Sequence, residues 1–123
     1  MLAAGYVLYS ASTMLVYSCG RGTNGFTLDH DLGEFLLSPE NIRCPRRGNS
    51  FSANLARCGE WPRNVQMFCE YLTASDPATG RPYSLRYTGA LVTDLHRSLL
   101  EGGLYFYPPD QNHTGRSATN VTR

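Results

Sequence analysis

A single run of residues limits the fold more than any other part of the sequence. Residues 86–97 read Arg-Tyr-Thr-Gly-Ala-Leu-Val-Thr-Asp-Leu-His-Arg, and residues 102–108 read Gly-Gly-Leu-Tyr-Phe-Tyr-Pro. Apolar residues recur at helical spacing in this run, which predicts a helix from about Gly89 to Glu101. Its expected buried residues are Leu91, Val92, Leu95, Leu99 and Leu100. The Gly-Gly pair ends the helix, and the aromatic residues after it predict a strand from Leu104 to Tyr107, halted by Pro108.

The remaining residues predict several short strands and one more helix. Strands are expected where β-branched and aromatic residues cluster, at 6–9, 13–18, 26–28, 34–37 and 50–53, with a glycine-rich turn at 20–25. Pro62 is expected to open a helix, and residues 73–82 to form a loop. The predicted core stripe of that helix comprises Val65, Met67, Phe68, Tyr71 and Leu72. Strands followed by helices predict an α/β or α+β layer structure.

Length and charge narrow the possible partners. A chain of 123 residues is one domain or part of one, and its net charge of +1 gives no electrostatic reason to expect nucleic acid or an anionic membrane as a partner. Any anion site must therefore be local. The first 20 residues contain no Lys or Arg and their apolar stretch is interrupted, so we expect neither a signal peptide nor a membrane span.

The four cysteines show no C-x-x-C spacing, which argues against a zinc site. In a secreted chain they would allow two disulfides, whereas in a cytosolic chain they are buried thiols, the interpretation that we favour. They are Cys19, Cys44, Cys58 and Cys69.

The residues around the second predicted helix have the chemistry of a phosphate site. Arg86 has a planar fork that matches phosphate oxygens, and Gly89 allows close backbone approach to a helix N-terminus with free N–H groups. Tyr87 and Tyr107 each offer one O–H donor. The alternative is that Arg86 makes a surface ion pair and both tyrosines lie at the edge of the core.

Two other groupings are weaker candidates for chemistry. His96 and Arg97, with Asp94, could form a catalytic grouping, but adjacent residues on a helix point apart, so a structural hydrogen-bonding role for His96 is favoured. The triplet at residues 29–31, Asp-His-Asp, follows a strand at a turn, where Asp is common for backbone reasons, so a metal site there is disfavoured.

Several segments of the chain, in order, resemble class I fructose-1,6-bisphosphatases. They are Ala-Ala-Gly-Tyr-Val-Leu-Tyr at 3–9, Ser-Thr-Met-Leu-Val at 12–16, Gly-Phe-Thr-Leu-Asp at 25–29, Leu-Gly-Glu-Phe at 32–35, Ser-Ala-Asn at 52–54, Arg-Pro-Tyr at 81–83, and the run at 86–108. The resemblance implies the layered α/β sandwich of that family. It also implies that residues 1–116 are an incomplete C-terminal domain that binds sugar phosphate, followed by an aberrant tail at 117–123.

The resemblance also assigns substrate-binding residues. It implies that the 6-phosphate is held by Asn54, Tyr87 and Tyr107, and by Arg86 reaching across from a neighbouring subunit. Leu91 matches the position where a backbone N–H meets the sugar. Arg116 matches a family Lys that contacts the sugar and the 1-phosphate, and a further family tyrosine falls on Arg57.

The implied reaction is metal-assisted attack of water on the 1-phosphate of fructose 1,6-bisphosphate, which yields fructose 6-phosphate and phosphate. Magnesium, a cytoplasmic homo-oligomer (a tetramer in the family) and a role in gluconeogenesis or the Calvin cycle are implied with it. The family takes its carboxylate ligands from segments not found in this chain. We therefore expect a fragment with no catalytic residue, no metal ligand and no turnover on its own. The alternative is a non-catalytic protein that binds sugar phosphate or docks onto an intact subunit.

The tail carries a further expectation. Residues 118–123, Ala-Thr-Asn-Val-Thr-Arg, do not match the family, but codons for this peptide contain Tyr-Glu-Cys-Asn-Pro in a shifted frame, a segment that the family carries here. The sequence thus predicts a frameshift near residues 110–117.

Overall fold

The computed structural model describes residues 3–109, which fall into two compact units divided between Pro45 and Arg46. Each unit has its own sheet. The expected α/β class is confirmed, since the described residues form both strands and helices.

The first unit is an antiparallel meander of four strands in the order β1-β2-β3-β4. The strands are β1 (Ala4–Leu8), β2 (Met14–Ser18), β3 (Thr23–Asp29) and β4 (Glu34–Leu37). Strand β3 begins three residues before the predicted one and takes up half of the predicted turn, which is therefore confined to residues 19–22. Gly20 and Gly22 in this turn have φ of 89° and 103°, which is why glycine is needed there.

The centre of β3 is covered by the chain that follows β4. The backbone N–H of Gly25 donates to the Pro39 carbonyl at 2.8 Å, and a Cβ on Gly25 would lie 2.5 Å from the Pro39 ring. Val16, its partner across the β2–β3 ladder, is buried. By contrast, every residue of β4 is exposed.

The second unit contains three parallel strands in the order β6-β5-β7, connected through two helices. In chain order these are β5 (Ser50–Ser52), α1 (Arg63–Thr73), β6 (Ser84–Leu85), α2 (Leu91–Glu101) and β7 (Leu104–Tyr105). Short 3₁₀ turns lie at Leu55–Glu60 and Pro77–Thr79. The first of these turns and strand β6 were not predicted, and β7 is two residues shorter than predicted.

The core of this unit lies between β5 and α1. It contains Phe51, Ala53, Trp61, Cys69 and Leu72, each no more than 4% exposed. The ring of Phe106 extends the core, stacked at 6.4 Å on Phe51 and tilted at 6.1 Å against Trp61.

The predicted helix faces were partly wrong. In α1, Met67, Phe68 and Tyr71 are 41–55% exposed, and the buried residues are Cys69 and Leu72. In α2, the buried residues are polar. They are Asp94 and Ser98, while Leu91 and Leu100 are exposed.

Candidate functional site

Three chain segments with predicted phosphate-binding residues meet at one edge of the parallel sheet. Asn54 lies two residues after the end of β5, Arg86 and Tyr87 directly follow β6, and Tyr107 lies two residues after β7. In a parallel sheet the carboxyl ends of all strands lie at the same edge, where α/β proteins bind ligands. We call this the carboxyl-edge site, made of Asn54, Arg86, Tyr87 and Tyr107.

Backbone pairing beyond the strands keeps the three segments side by side. The Arg86 N–H donates to the Phe51 carbonyl at 2.8 Å, and the Phe106 N–H donates to the Ser52 carbonyl at 3.1 Å. Both acceptors belong to β5, the central strand. Arg86 and Tyr107 are therefore held at the two flanks of the segment that leads to Asn54.

The pKa of the Tyr105 hydroxyl is influenced by both predicted tyrosines. Burial is the largest cause that raises the pKa of the Tyr105 hydroxyl, and the charges of Asp94, Tyr87 and Tyr107 raise that pKa further. Tyr87 and Tyr107 are 38% and 41% exposed, so both also reach solvent.

Asn54 and Tyr107 also share a small cavity with Arg57, Trp61 and Pro108. Its volume of about 10 Å³ holds roughly one water molecule. Arg57 therefore lies beside two of the predicted phosphate-binding residues.

The N-terminus of α2 adds backbone donors to the same region. Gly89 has a φ of 80°, and a Cβ there would lie 3.9 Å from the Tyr87 hydroxyl. Ala90 precedes the helix, and no side chain caps the first turn. Leu91, the first helical residue, is exposed. Uncapped N–H groups at a helix start favour anions.

Asp94 pairs with Arg97, not with His96. The Arg97 Nη2 lies 2.9 Å from the Asp94 Oδ1, and the Asp94 side chain is almost fully buried. The sequence named both residues but missed this pair, although their i,i+3 spacing on a helix was the available signal. Burial lowers the pKa of His96, as expected for an imidazole within the fold.

The Asp29 carboxylate takes part in a local turn. Its Oδ1 accepts from the Asp31 and Leu32 N–H groups at 2.9 and 3.0 Å, the arrangement that makes Asp common at turns. Across residues 3–109, no group of three or more His, Cys, Asp or Glu side chains is placed to hold a metal ion.

Three further predictions concern the ends of the chain and the cysteines. Arg116 and the tail at 117–123 lie outside the described residues. All four cysteines are free thiols, but only Cys69 is buried, while Cys19 and Cys44 are exposed. Within residues 3–109, no helix has the length and apolar character needed to cross a membrane.

Comparison with known proteins places both units in one family. Residues 44–119 match the family model described as "Fructose-1-6-bisphosphatase, C-terminal domain", and residues 1–40 match the model of its N-terminal domain. The change from one model to the other falls close to the boundary between the two compact units. The assignment of residues 1–116 to a single incomplete domain stays a prediction.

Individual relatives support the same family membership. The chain is 60% identical over 109 residues to a class 1 fructose-1,6-bisphosphatase of Acaryochloris marina, and 50% identical over 112 residues to one of Chlorobaculum parvum. These matches cover 89% and 91% of this chain but only 32% and 34% of the relatives. The chain thus spans about a third of the length of the curated relatives it matches.

Solved structures support the same family membership and the same partial coverage. The apo form of Leishmania major fructose-1,6-bisphosphatase superposes with a TM-score of 0.85 at 40% identity, covering 90% of this chain and 35% of that one. Its holo form gives a TM-score of 0.86 at 41% identity, covering 91% and 34%.

Proposed function

Because the chain belongs to the fructose-1,6-bisphosphatase family, we propose that its carboxyl-edge site binds the 6-phosphate of fructose 6-phosphate. The observation that carries the proposal is the convergence of Asn54, Arg86, Tyr87 and Tyr107 at the carboxyl ends of three parallel strands. All four side chains are hydrogen-bond donors, and a phosphate monoester offers three acceptor oxygens with a charge near −2 at neutral pH.

Each residue has a distinct task in this proposal. The Arg86 guanidinium reaches across to the copy of this site in a neighbouring subunit, where it supplies the positive charge and two parallel N–H donors. The hydroxyls of Tyr87 and Tyr107 and the amide of Asn54 donate one bond each, which selects a tetrahedral anion over a planar carboxylate. The Leu91 N–H at the start of α2 contacts the sugar, and Arg116 contacts the sugar and the 1-phosphate.

For the whole protein we propose the family reaction, hydrolysis of fructose 1,6-bisphosphate to fructose 6-phosphate and phosphate. In it, this site anchors the substrate by the phosphate that does not react, so that binding energy orients the reacting one. Since Arg86 is taken to reach a neighbouring subunit, the proposal includes a homo-oligomer. A cytoplasmic location and a role in gluconeogenesis or the Calvin cycle belong to the same proposal.

Magnesium is part of the proposal for the whole protein only. Magnesium binds through carboxylates and water. The described part of the chain does not provide a cluster of such ligands.

Calorimetric titration tests the proposal. Fructose 6-phosphate should bind, and unphosphorylated fructose should not. Tyr87→Phe and Tyr107→Phe should each weaken binding about tenfold or more, since a hydrogen bond to a charged group contributes about 1.5–3 kcal/mol. Tyr83→Phe is the matched control, because Tyr83 lies before β6, at the opposite edge of the sheet.

Two results would refute the proposal. One is the absence of any heat of binding with fructose 6-phosphate. The other is an equal loss of affinity in the Tyr83→Phe control, since that loss would place the ligand elsewhere.

A further inference from the structure

We infer that Asp94 and Arg97 are positioning residues that hold the backbone on both sides of Tyr87 and thereby aim its hydroxyl at the phosphate. The inference deepens the proposed function and rests on it for its ligand. Neither residue has been given a role in binding by the sequence resemblance. The evidence is a set of hydrogen bonds between α2 and the segment that follows β6.

The first contact holds the peptide group after Tyr87. The Thr88 N–H donates to both carboxylate oxygens of Asp94, at 3.3 Å each. Asp94 is fully buried in the first turn of α2, so its carboxylate is shielded from water. Thr88 lies two residues before the helix cap, and this bond ties the chain outside the helix to the helix itself.

The second contact holds the peptide group before Tyr87. The Nη2 of Arg97 donates to the Arg86 carbonyl oxygen and also to the Asp94 Oδ1, the latter at 2.9 Å. The 86–87 and 87–88 peptide groups are therefore both bound to α2 side chains. Because these two groups define φ and ψ of Tyr87, the Asp94–Arg97 pair sets the direction in which its Cα–Cβ bond leaves the backbone.

Arg97 also neutralises the charge of the Asp94 carboxylate. The Asp94 carboxylate accepts from the Thr88 N–H, the peptide group next to Tyr87, so its charge lies near the proposed phosphate site. An unpaired carboxylate there would repel the phosphate. Arg97 cancels this charge, so loss of Arg97 should weaken binding more than loss of both charges together.

We call the hydrogen bonds from Asp94 and Arg97 to the backbone around Tyr87 the Asp94–Arg97 clamp. Amide hydrogen exchange in the full 123-residue chain tests this clamp without any ligand. In the wild type the Thr88 amide should be protected, and Asp94→Ala should increase its exchange rate at least about tenfold. Asp94→Asn keeps one oxygen acceptor and should restore part of the protection. If Asp94→Ala fails to fold, Asp94→Asn and Arg97→Gln carry the same test. Unchanged Thr88 exchange in these variants would overturn the inference.

Titration with fructose 6-phosphate then links the clamp to binding. Asp94→Ala should weaken binding about tenfold, and Arg97→Gln by more than the double variant Asp94→Asn with Arg97→Gln. In a Tyr87→Phe background, Asp94→Ala should cost little further affinity, because both changes remove the same contact. Losses that simply add would show a general structural role and overturn the inference.

A matched control separates positioning from loss of stability. Asp76→Ala breaks another ion pair of the same unit, the one with Arg81 at 2.6 Å, in the loop between α1 and β6. This variant should lose stability but keep its affinity for fructose 6-phosphate and its Thr88 protection. If the wild type itself fails to bind, the proposed function is wrong and the binding half of the inference falls with it, while the exchange result still decides whether the clamp exists.

Discussion

Gly48 offers the sharpest test of how the amino ends of the parallel strands are packed. A Cβ at this position would overlap the backbone nitrogen of Gly103 and the carbonyl carbon of Gly102. It would also lie 2.7 Å from the Gly102 carbonyl oxygen. This distance is 0.7 Å shorter than 3.4 Å, the shortest ordinary van der Waals contact. All three atoms belong to the backbone, so no side chain can rotate away to make room.

We therefore expect Gly48→Ala to lower the free energy of unfolding by about 3 kcal/mol, the upper part of the usual cost of overpacking. The whole domain has only about 5–15 kcal/mol to lose. Because Gly48 precedes β5 and Gly103 precedes β7, relief of the clash must shift these strands relative to one another, and the carboxyl-edge site with them.

Urea unfolding followed by fluorescence measures this change, since Trp61 is the single tryptophan and is buried in the core of the same unit. Gly59→Ala is the matched control. A Cβ there meets nothing within 4 Å and its backbone needs no positive φ, so the change should stay within about 0.5 kcal/mol. Equal midpoints for the two variants would refute the packing argument.

Three further predictions concern burial. Iodoacetamide at pH 8 should modify the exposed Cys19 and Cys44 well before Cys69, whose pKa is raised to about 11 chiefly by burial; equal rates by peptide mass mapping would contradict this. Burial lowers the pKa of His96 in the folded chain. As the pH drops, His96 is therefore protonated in the unfolded chain before it is protonated in the folded chain, and the free energy of unfolding should fall below about pH 6.5. His96→Gln should flatten that fall in urea midpoints measured from pH 7.5 to 5, and an unchanged slope would argue against it. Leu72→Ala should cost about 3 kcal/mol in the same assay, because Leu72 is 1% exposed; a loss below about 1 kcal/mol would contradict its place in the core.

Local sequence patterns predicted the strands of the first unit well, because short apolar, β-branched or aromatic runs alternate with turn-forming glycines. Strand β4 has the predicted bounds of Glu34–Leu37. Strand β6 could not be found this way, since the two residues Ser84–Leu85 carry no periodic signal. It exists because β5 offers a parallel partner, a contact distant in sequence.

The helix faces show where apolar periodicity misleads. In α2 the leucines predicted the buried side, but Leu91 and Leu100 are exposed while Asp94 lies inside the fold. A buried carboxylate is tolerated here because Arg97 and the Thr88 N–H satisfy it. Such compensation depends on three-dimensional contacts and is invisible in a hydrophobicity pattern.

The candidate site was predictable in its residues but not in its geometry. Arg86 and Tyr87 could be named from their chemistry and from their place before a helix. That Asn54 and Tyr107 lie beside them follows from the parallel order β6-β5-β7, which the sequence did not indicate. The position of Arg57 next to Asn54 and Tyr107 likewise emerged only from the fold.

Mapping amide chemical shifts during titration with fructose 6-phosphate tests the central claim most directly, because it shows at which edge of the parallel sheet the phosphate binds. The proposed function predicts that the amides of Asn54, Tyr87 and Tyr107 move in a saturable way while those of Asn49 and Tyr83, at the opposite edge, stay fixed. Shifts confined to Asn49 and Tyr83, or no saturable shift at all, would contradict it.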